Sequence, residues 1–272
     1  MEYKLLAADM DGTALNDKKE LSPRTARAME KAIEQGKIVV FSTGRGITIV
    51  KPYIDMVRGM RYALTSSGAA VLDLETGEKL LHKKIDPETV KMIIAQVSGR
   101  YVMPVIYNDD ASYSTAWCVD CCEEFAHKTY EPIYRQCLTI VDDAFNAFME
   151  NPKPIEKLNL FFADENEAEE VYERIKELPI RFTSKTAKAF EINALGVSKA
   201  EGLKVLCERL GIDLSECIAI GDSSNDEEIL ACAGLKVAMA NGNDRVKALA
   251  DVICDDCNND GVARIIEEYL LA

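Results

Sequence analysis

A chain of 272 residues that is 48% hydrophobic can bury one large core or two modest ones, so it reads as globular. Its formal net charge of −14 disfavours nucleic acid backbones and acidic membrane surfaces as partners, because both need basic patches. An anionic substrate would have to be drawn in by a few local cations or a metal. No apolar run approaches the roughly 20 residues of a membrane-spanning helix, and Met1-Glu2-Tyr3-Lys4 has no basic leader before a hydrophobic stretch, so the expected location is the cytoplasm.

The first element is an apolar strand in "KLLAADMDGTALND" that runs straight into Asp9 and Asp11. Two carboxylates at alternate positions repel, and the arrangement needs open solvent, a shared proton or a cation to be tolerable. Next, "LSPRTARAMEKAIEQGK" has Ser22 as an N-cap, Pro23 at the first helical position and Gly36 as the stop, with Ala26, Met29, Ala32 and Ile33 as the apolar face. "KIVVFSTGR" is a second short strand ending in polar residues and a glycine. Strand, helix, strand implies a parallel sheet with right-handed crossovers, and ligands bind such sheets beyond the carboxyl ends of the strands. Asp9 and Thr43 fall at that edge.

From about Lys83 to Lys188 the pattern changes: a helix after Pro87, a strand "VMPVIYND", a mixed stretch around Trp117 and a helix near Asp142 to Glu150. A strand "KLNLFFA" and the charged helix "ENEAEEVYERIKEL" follow. That order predicts an inserted α+β domain with an antiparallel sheet, 84–187, between core segments 1–83 and 188–272. The parallel pattern then resumes. Cys217 to Ile220 is a strand delivering Gly221-Asp222 to a helix ending near Gly234, "KVAMANG" and "ADVICDD" are two further strands, and a closing helix starts at about Gly261. Neither low-complexity segments nor long-period repeats interrupt the chain.

The nine cysteines read as reduced, partly buried thiols, and their odd number precludes complete intramolecular pairing. Cys118, Cys121 and Cys122, and the Cys254/Cys257 pair, raise the question of zinc, but neither group has a histidine at ligand spacing. Asp9, Asp11, Asp222 and Asp226 supply hard oxygen ligands of the kind Mg²⁺ prefers while it holds a substrate phosphate. Thr43 adds a hydroxyl, Gly44 an unobstructed backbone N–H and Lys199 a point charge, the parts of a phosphoryl cradle.

These residues resemble the haloacid dehalogenase (HAD) superfamily of phosphotransferases, and within it the Cof-type sugar phosphatases. The motifs "DMDGT", "STGR", "VSKAEGL" and "GDSSND" occur in that order, with "VAMANG" and "DGVARII" continuing the likeness. The resemblance implies an α/β, Rossmann-like HAD core with an inserted cap that governs substrate choice. It implies Mg²⁺-dependent hydrolysis of small phosphorylated metabolites, sugar phosphates foremost, through an aspartyl phosphate. Asp9 is then the nucleophile and Asp11 the general acid and base. Asp9 and Asp222 hold the metal by side chains, Asp11 by its backbone carbonyl, and Asp226 orients water there. Thr43, Gly44 and Lys199 bind the transferring phosphoryl oxygens, while Asn225 and Arg45 position phosphate or substrate.

Acting as an acid at neutral pH requires Asp11 to have a raised pKa, from a neighbouring carboxylate or from desolvation, and Asp9 two residues away can provide the first. One departure is "TSSGAAV", where the family often has "SNGA"; Ser67 carries over only turn formation and substrate contact. A phosphomutase uses the same nucleophile, and a non-catalytic phospho-ligand-binding module the same fold, although a binder has no need of both nucleophile and acid. The plain alternatives are strand-end aspartates as helix caps or turn residues, Lys199 as a solvated lysine, Asp226 as a helix-start charge, Arg45 as a structural ion pair and Trp117 as packing. Oligomeric state is not legible.

Overall fold

A computed structural model describes residues 2–108 and 111–272; Asp109, the last residue of the expected strand "VMPVIYND", lies outside them. The chain separates into two compact units, one of Met1–Arg45, Val50–His82 and Ser198–Ala272, the other of Gly46–Ile49 and Lys83–Val197.

In chain order the elements begin with β1 (Leu5–Ala8), α1 (Pro23–Glu34), β2 (Ile38–Ser42), α2 (Ile47–Ile54), β3 (Tyr62–Thr65), β4 (Ala70–Asp73) and β5 (Lys79–His82). The second unit continues with α3 (Pro87–Val97), β6 (Val102–Tyr107), β7 (Tyr113–Thr115), α4 (Ala116–Asp120), α5 (Glu131–Cys137) and β8 (Thr139–Val141). It closes with α6 (Ala144–Glu150), β9 (Lys157–Phe162), α7 (Glu165–Ile175), β10 (Ile180–Lys185) and β11 (Ala189–Ala194). The first unit is completed by α8 (Lys199–Leu210), β12 (Cys217–Gly221), α9 (Glu227–Cys232), β13 (Leu235–Met239), α10 (Asp244–Leu249), β14 (Val252–Cys254) and α11 (Gly261–Ile265).

Among the described residues the first unit holds an eight-stranded sheet in the order β14-β13-β12-β1-β2-β3-β4-β5. The strands from β14 to β3 are parallel, and β4 and β5 add an antiparallel margin. β1 and β12 are buried at every position, the signature of parallel strands covered on both faces. Ala8 pairs with Phe41 on one side and Ile220 on the other, so the residues just past all three emerge at one edge. Ser22 caps α1 by accepting the Thr25 N–H, with Pro23 in the first turn as expected. The helix buries Thr25, Ala28, Met29 and Ala32, a face rotated slightly from the expected one, which leaves Ala26 and Ile33 half-buried.

The second unit is a six-stranded sheet, β10-β11-β9-β6-β7-β8, antiparallel except for the β7–β8 pair. Strand alternation divides its core in two: Leu158, Leu160 and Phe162 pack with Ile93, Phe148 and Val171, whereas Phe161, Met103 and Val105 pack with Cys118, Val119 and Phe125. The unit ends at Val197 rather than 187, because Ala189–Ala194 pairs antiparallel with both β9 and β10. No helix among the described residues is long and apolar enough to cross a membrane.

Candidate active site

The β1 strand ends where Asp9 N donates to Ile220 O at 3.0 Å, and the chain then folds sharply back: Thr13 N and Leu15 N donate to Met10 O, and Ala14 N to Asp9 O. Gly12 makes the reversal with φ +76°, and a Cβ there would lie 2.6 Å from Asp222 Oδ2. Thr13 Oγ1 donates to Asp222 Oδ1 at 3.1 Å, and Asn241 Nδ2 donates to Gly12 O at 2.7 Å. The turn after β1 and the carboxylate after β12 are therefore built against each other, and only glycine fits between them. Gly12→Ala is expected to weaken divalent-cation binding roughly tenfold or more, because it displaces Asp222 rather than removing a ligand. Calorimetric titration of the native and variant proteins reads this directly, and unchanged affinity would refute it.

Lys199 opens α8, with Ser198 as N-cap accepting the Glu201 N–H. Its ammonium donates to Asp9 Oδ1 at 2.7 Å and Asp226 Oδ1 at 2.6 Å. At 2% exposure, it is a buried cation made tolerable by two carboxylates, not a solvated helix-start lysine. Gly68, at φ +91°, lets the turn after β3 press on this helix start, since a Cβ there would lie 2.1 Å from Ser198 O. Ser66 N and Ser67 N donate to Arg45 O and Thr43 O, so the "TSSGA" segment does form a turn, sewn onto the loop after β2.

Asp226 is fully buried, and its Oδ2 accepts the N–H groups of Asp222 and Ser223, both at 3.1 Å. With Oδ1 on Lys199, both its oxygens are engaged, and its carboxylate fills the space a Cβ on Gly221 would take. Asp226 thus shapes the Asp222 loop. Ligand oxygens of Asp9, Asp222 and Asp226 lie within 4.8 Å of one another. Three carboxylates against one ammonium leave an excess of two negative charges, which an all-oxygen donor set of this kind matches to a hard divalent cation. Crowding shifts these groups: burial, reinforced by Asp226 and Asp222 against Lys199, raises Asp9 well above the usual carboxylate range. Burial and Asp226 push Asp222 up to about 6. Burial alone would lower Lys199, but Asp226 and Asp9 outweigh it and raise its pKa.

Asp11 is elsewhere. Its side chain is gripped by Arg45, Nε to Oδ2 at 2.7 Å and Nη2 to Oδ1 at 2.6 Å, and by Lys19 Nζ, 3.0 Å from Oδ1. Burial would raise this carboxyl, yet Arg45 and Lys19 together hold it well below the usual carboxylate range. The expectation that Asp9 keeps Asp11 protonated is therefore corrected: the charges that dominate at Asp11 are cations the motif spacing does not reveal. Arg45 makes the ion pair that was its plain alternative, and it is 5% exposed.

Thr43 follows β2 directly, its N–H on Leu64 O and its Oγ1 accepting the Arg45 N–H at 3.2 Å. Gly44 is in the same loop. Asn225 Oδ1 accepts from Ser223 Oγ at 2.7 Å, which fixes the short turn before α9. Sequence reasoning missed Lys19, Thr13 and the site-facing part of Asn241. Thr13 stands inside "DMDGT" and Asn241 inside "VAMANG", whereas no motif marks Lys19.

The family described as haloacid dehalogenase-like hydrolase matches residues 6–266. The chain is similar to the 5-amino-6-(5-phospho-D-ribitylamino)uracil phosphatase YcsE of Bacillus subtilis, with 30% identity over 277 residues covering 100% of this chain and 97% of YcsE. It is 28% identical to phosphatase YwpJ of the same organism, covering 98% of this chain and 100% of YwpJ. The crystal structure of a haloacid dehalogenase-like hydrolase from Bacteroides thetaiotaomicron matches with a TM-score of 0.85 and 26% identity, over 98% of this chain and 99% of that one.

Proposed function

The chain belongs to the haloacid dehalogenase-like hydrolase family, in its Cof-type branch, and is a phosphohydrolase; on that footing we propose that it is a Mg²⁺-dependent phosphatase of small metabolites carrying a phosphorylated sugar or sugar-alcohol group. The observation that carries the reading is the buried Lys199 bridging Asp9 and Asp226 beside Asp222, a charge-deficient oxygen cluster at the carboxyl edge of a parallel sheet. The name of YcsE, a phosphatase of a phosphoribityl compound, supports the substrate class.

In the proposed reaction Asp9 attacks phosphorus, forming an acyl phosphate as the ester P–O bond breaks; Asp11, ionised while Arg45 and Lys19 hold it, takes up a proton from solvent as Arg45 turns to the substrate and passes it to the departing alcohol. Water then attacks the same phosphorus, Asp11 takes its proton, and phosphate leaves with the Asp9 carboxylate restored. Lys199 fixes Asp9 through Oδ1 and sets a positive charge beside the transferring oxygens. Thr43 and Gly44 offer hydroxyl and N–H donors to those oxygens, and Asn225 and Arg45 position the substrate. Asp9 and Asp222 would hold Mg²⁺ by side chains and Asp11 by its carbonyl; when bound, the ion supplies further positive charge for the phosphoryl group. Asp226 keeps Lys199 and the Asp222 loop in place.

These residues all handle phosphate and none selects the alcohol, so substrate choice is assigned to the inserted domain. Phosphate release from a panel of sugar, sugar-alcohol and cofactor phosphates, with Mg²⁺ or EDTA, tests the whole reading. Turnover of at least one ester that EDTA abolishes is expected. Binding of Mg²⁺ without release from any ester would overturn it in favour of a mutase or a binding module.

A further inference from the structure

Lys19 stands in "NDKKE", where nothing in the residue pattern separates it from Lys18. The backbone does separate them. Asn16 N donates to Glu20 O and Lys19 N to Asn16 O, while Asn16 Oδ1 accepts the N–H groups of Lys18 at 2.9 Å and Glu20 at 3.0 Å. This tight turn holds Lys19 at φ +63°, a left-handed conformation that glycine or asparagine adopts far more readily than lysine. Strain of this kind persists only where the surroundings over-determine it.

Here the surroundings converge on one carboxylate. The Lys19 ammonium is 3.0 Å from Asp11 Oδ1, the same oxygen that accepts from Arg45 Nη2. The Lys19 carbonyl accepts from the Tyr53 hydroxyl at 2.8 Å, and the Arg45 guanidinium lies over the Tyr53 ring, 5.2 Å from its centroid. Asp11, Lys19, Tyr53 and Arg45 thus form a closed circuit in which one tyrosine holds the Lys19 backbone and lies against the Arg45 guanidinium. A lysine needed only for solubility, as exposed Lys18 would be, requires neither the strained backbone nor the tyrosine hydrogen bond.

We propose that Lys19 is a positioning residue for Asp11: its ammonium, sharing Oδ1 with Arg45, holds and so aims the carboxyl that transfers the proton when Arg45 turns to the substrate. The inference rests on Asp11 being the acid in the proposed reaction.

The test compares kcat/KM for the alkyl phosphate turned over fastest in the panel with that for p-nitrophenyl phosphate, whose leaving group needs no proton. Lys19→Ala is expected to lower the alkyl value roughly tenfold or more and the aryl value less than about threefold, with KM little changed. Lys19→Arg should recover most of the loss, Lys18→Ala should change neither value, and Lys19→Ala added to Asp11→Asn should cost nothing further. Equal losses on both esters, or losses additive with Asp11→Asn, would mean that Lys19 serves only the fold, and thermal unfolding would show the same loss. Asp11→Asn itself acting equally on both esters would overturn the acid assignment and this inference with it; a leaving-group effect in Asp11→Asn that Lys19→Ala lacks overturns this inference alone.

Discussion

Asp9→Asn should reduce phosphate release roughly 10³-fold or more, because it replaces an anionic nucleophile by a neutral amide of the same shape. The structure adds that this loss should come without loss of fold. Asp9 is 5% exposed, and burial together with Asp226 and Asp222 already disfavours its charge. Removing that charge lowers the excess in the cluster, and Lys199 keeps Asp226 as partner at 2.6 Å. Metal-free Asp9→Asn is therefore expected to unfold at the same temperature as the native protein or higher, while Mg²⁺ stabilises it less. Phosphate release and thermal unfolding, measured on the same samples, separate the two effects. Turnover within about threefold of native would remove Asp9 from the nucleophile role.

The parts of the site that could be read in advance are those written as local patterns. Unbroken apolar runs such as "LLAA" and "CIAIG" fit strands buried on both faces, and each delivers its aspartate to the same edge because parallel strands point one way. Ser22 and Pro23 start α1 by local chemistry alone. Other features depend on partners distant in sequence. "AFEINA" alternates as a half-buried strand should, but only pairing with β9 and β10 assigns it to the second unit. The β4–β5 hairpin closes over Gly77 at φ +74°, and α10, with six residues, is too short to show a helical period. The electrostatics of Asp11 were least legible: its neighbour in sequence is Asp9, whereas Arg45 and Lys19 govern it in space.

Lys199→Met is the second large effect expected, and its size comes from burial. The native ammonium is almost wholly enclosed, and each of its two partners is 5% exposed or less. Removing one partner of such a network leaves carboxylates with neither water nor a counter-charge, at a cost of about 3–5 kcal/mol. The pKa of Lys199 is raised in the folded protein, so its stabilisation is fully present at neutral pH and is lost only as pH rises through that raised value. In the variant the remaining carboxylates are pushed further up and fold best when protonated. Its deficit relative to native should therefore be greatest at neutral pH and shrink as pH falls towards the usual carboxylate range. Mg²⁺ should restore part of the lost stability at neutral pH, because the ion brings back the positive charge, yet activity should stay at least about 10²-fold below native because the donor to the phosphoryl oxygens is gone. Urea unfolding of both proteins at two pH values, with Mg²⁺ or EDTA, measures each part. A loss below about 1 kcal/mol, indifferent to pH and to Mg²⁺, would show that Lys199 does not balance the acidic cluster, since an exposed ion pair is worth no more than that.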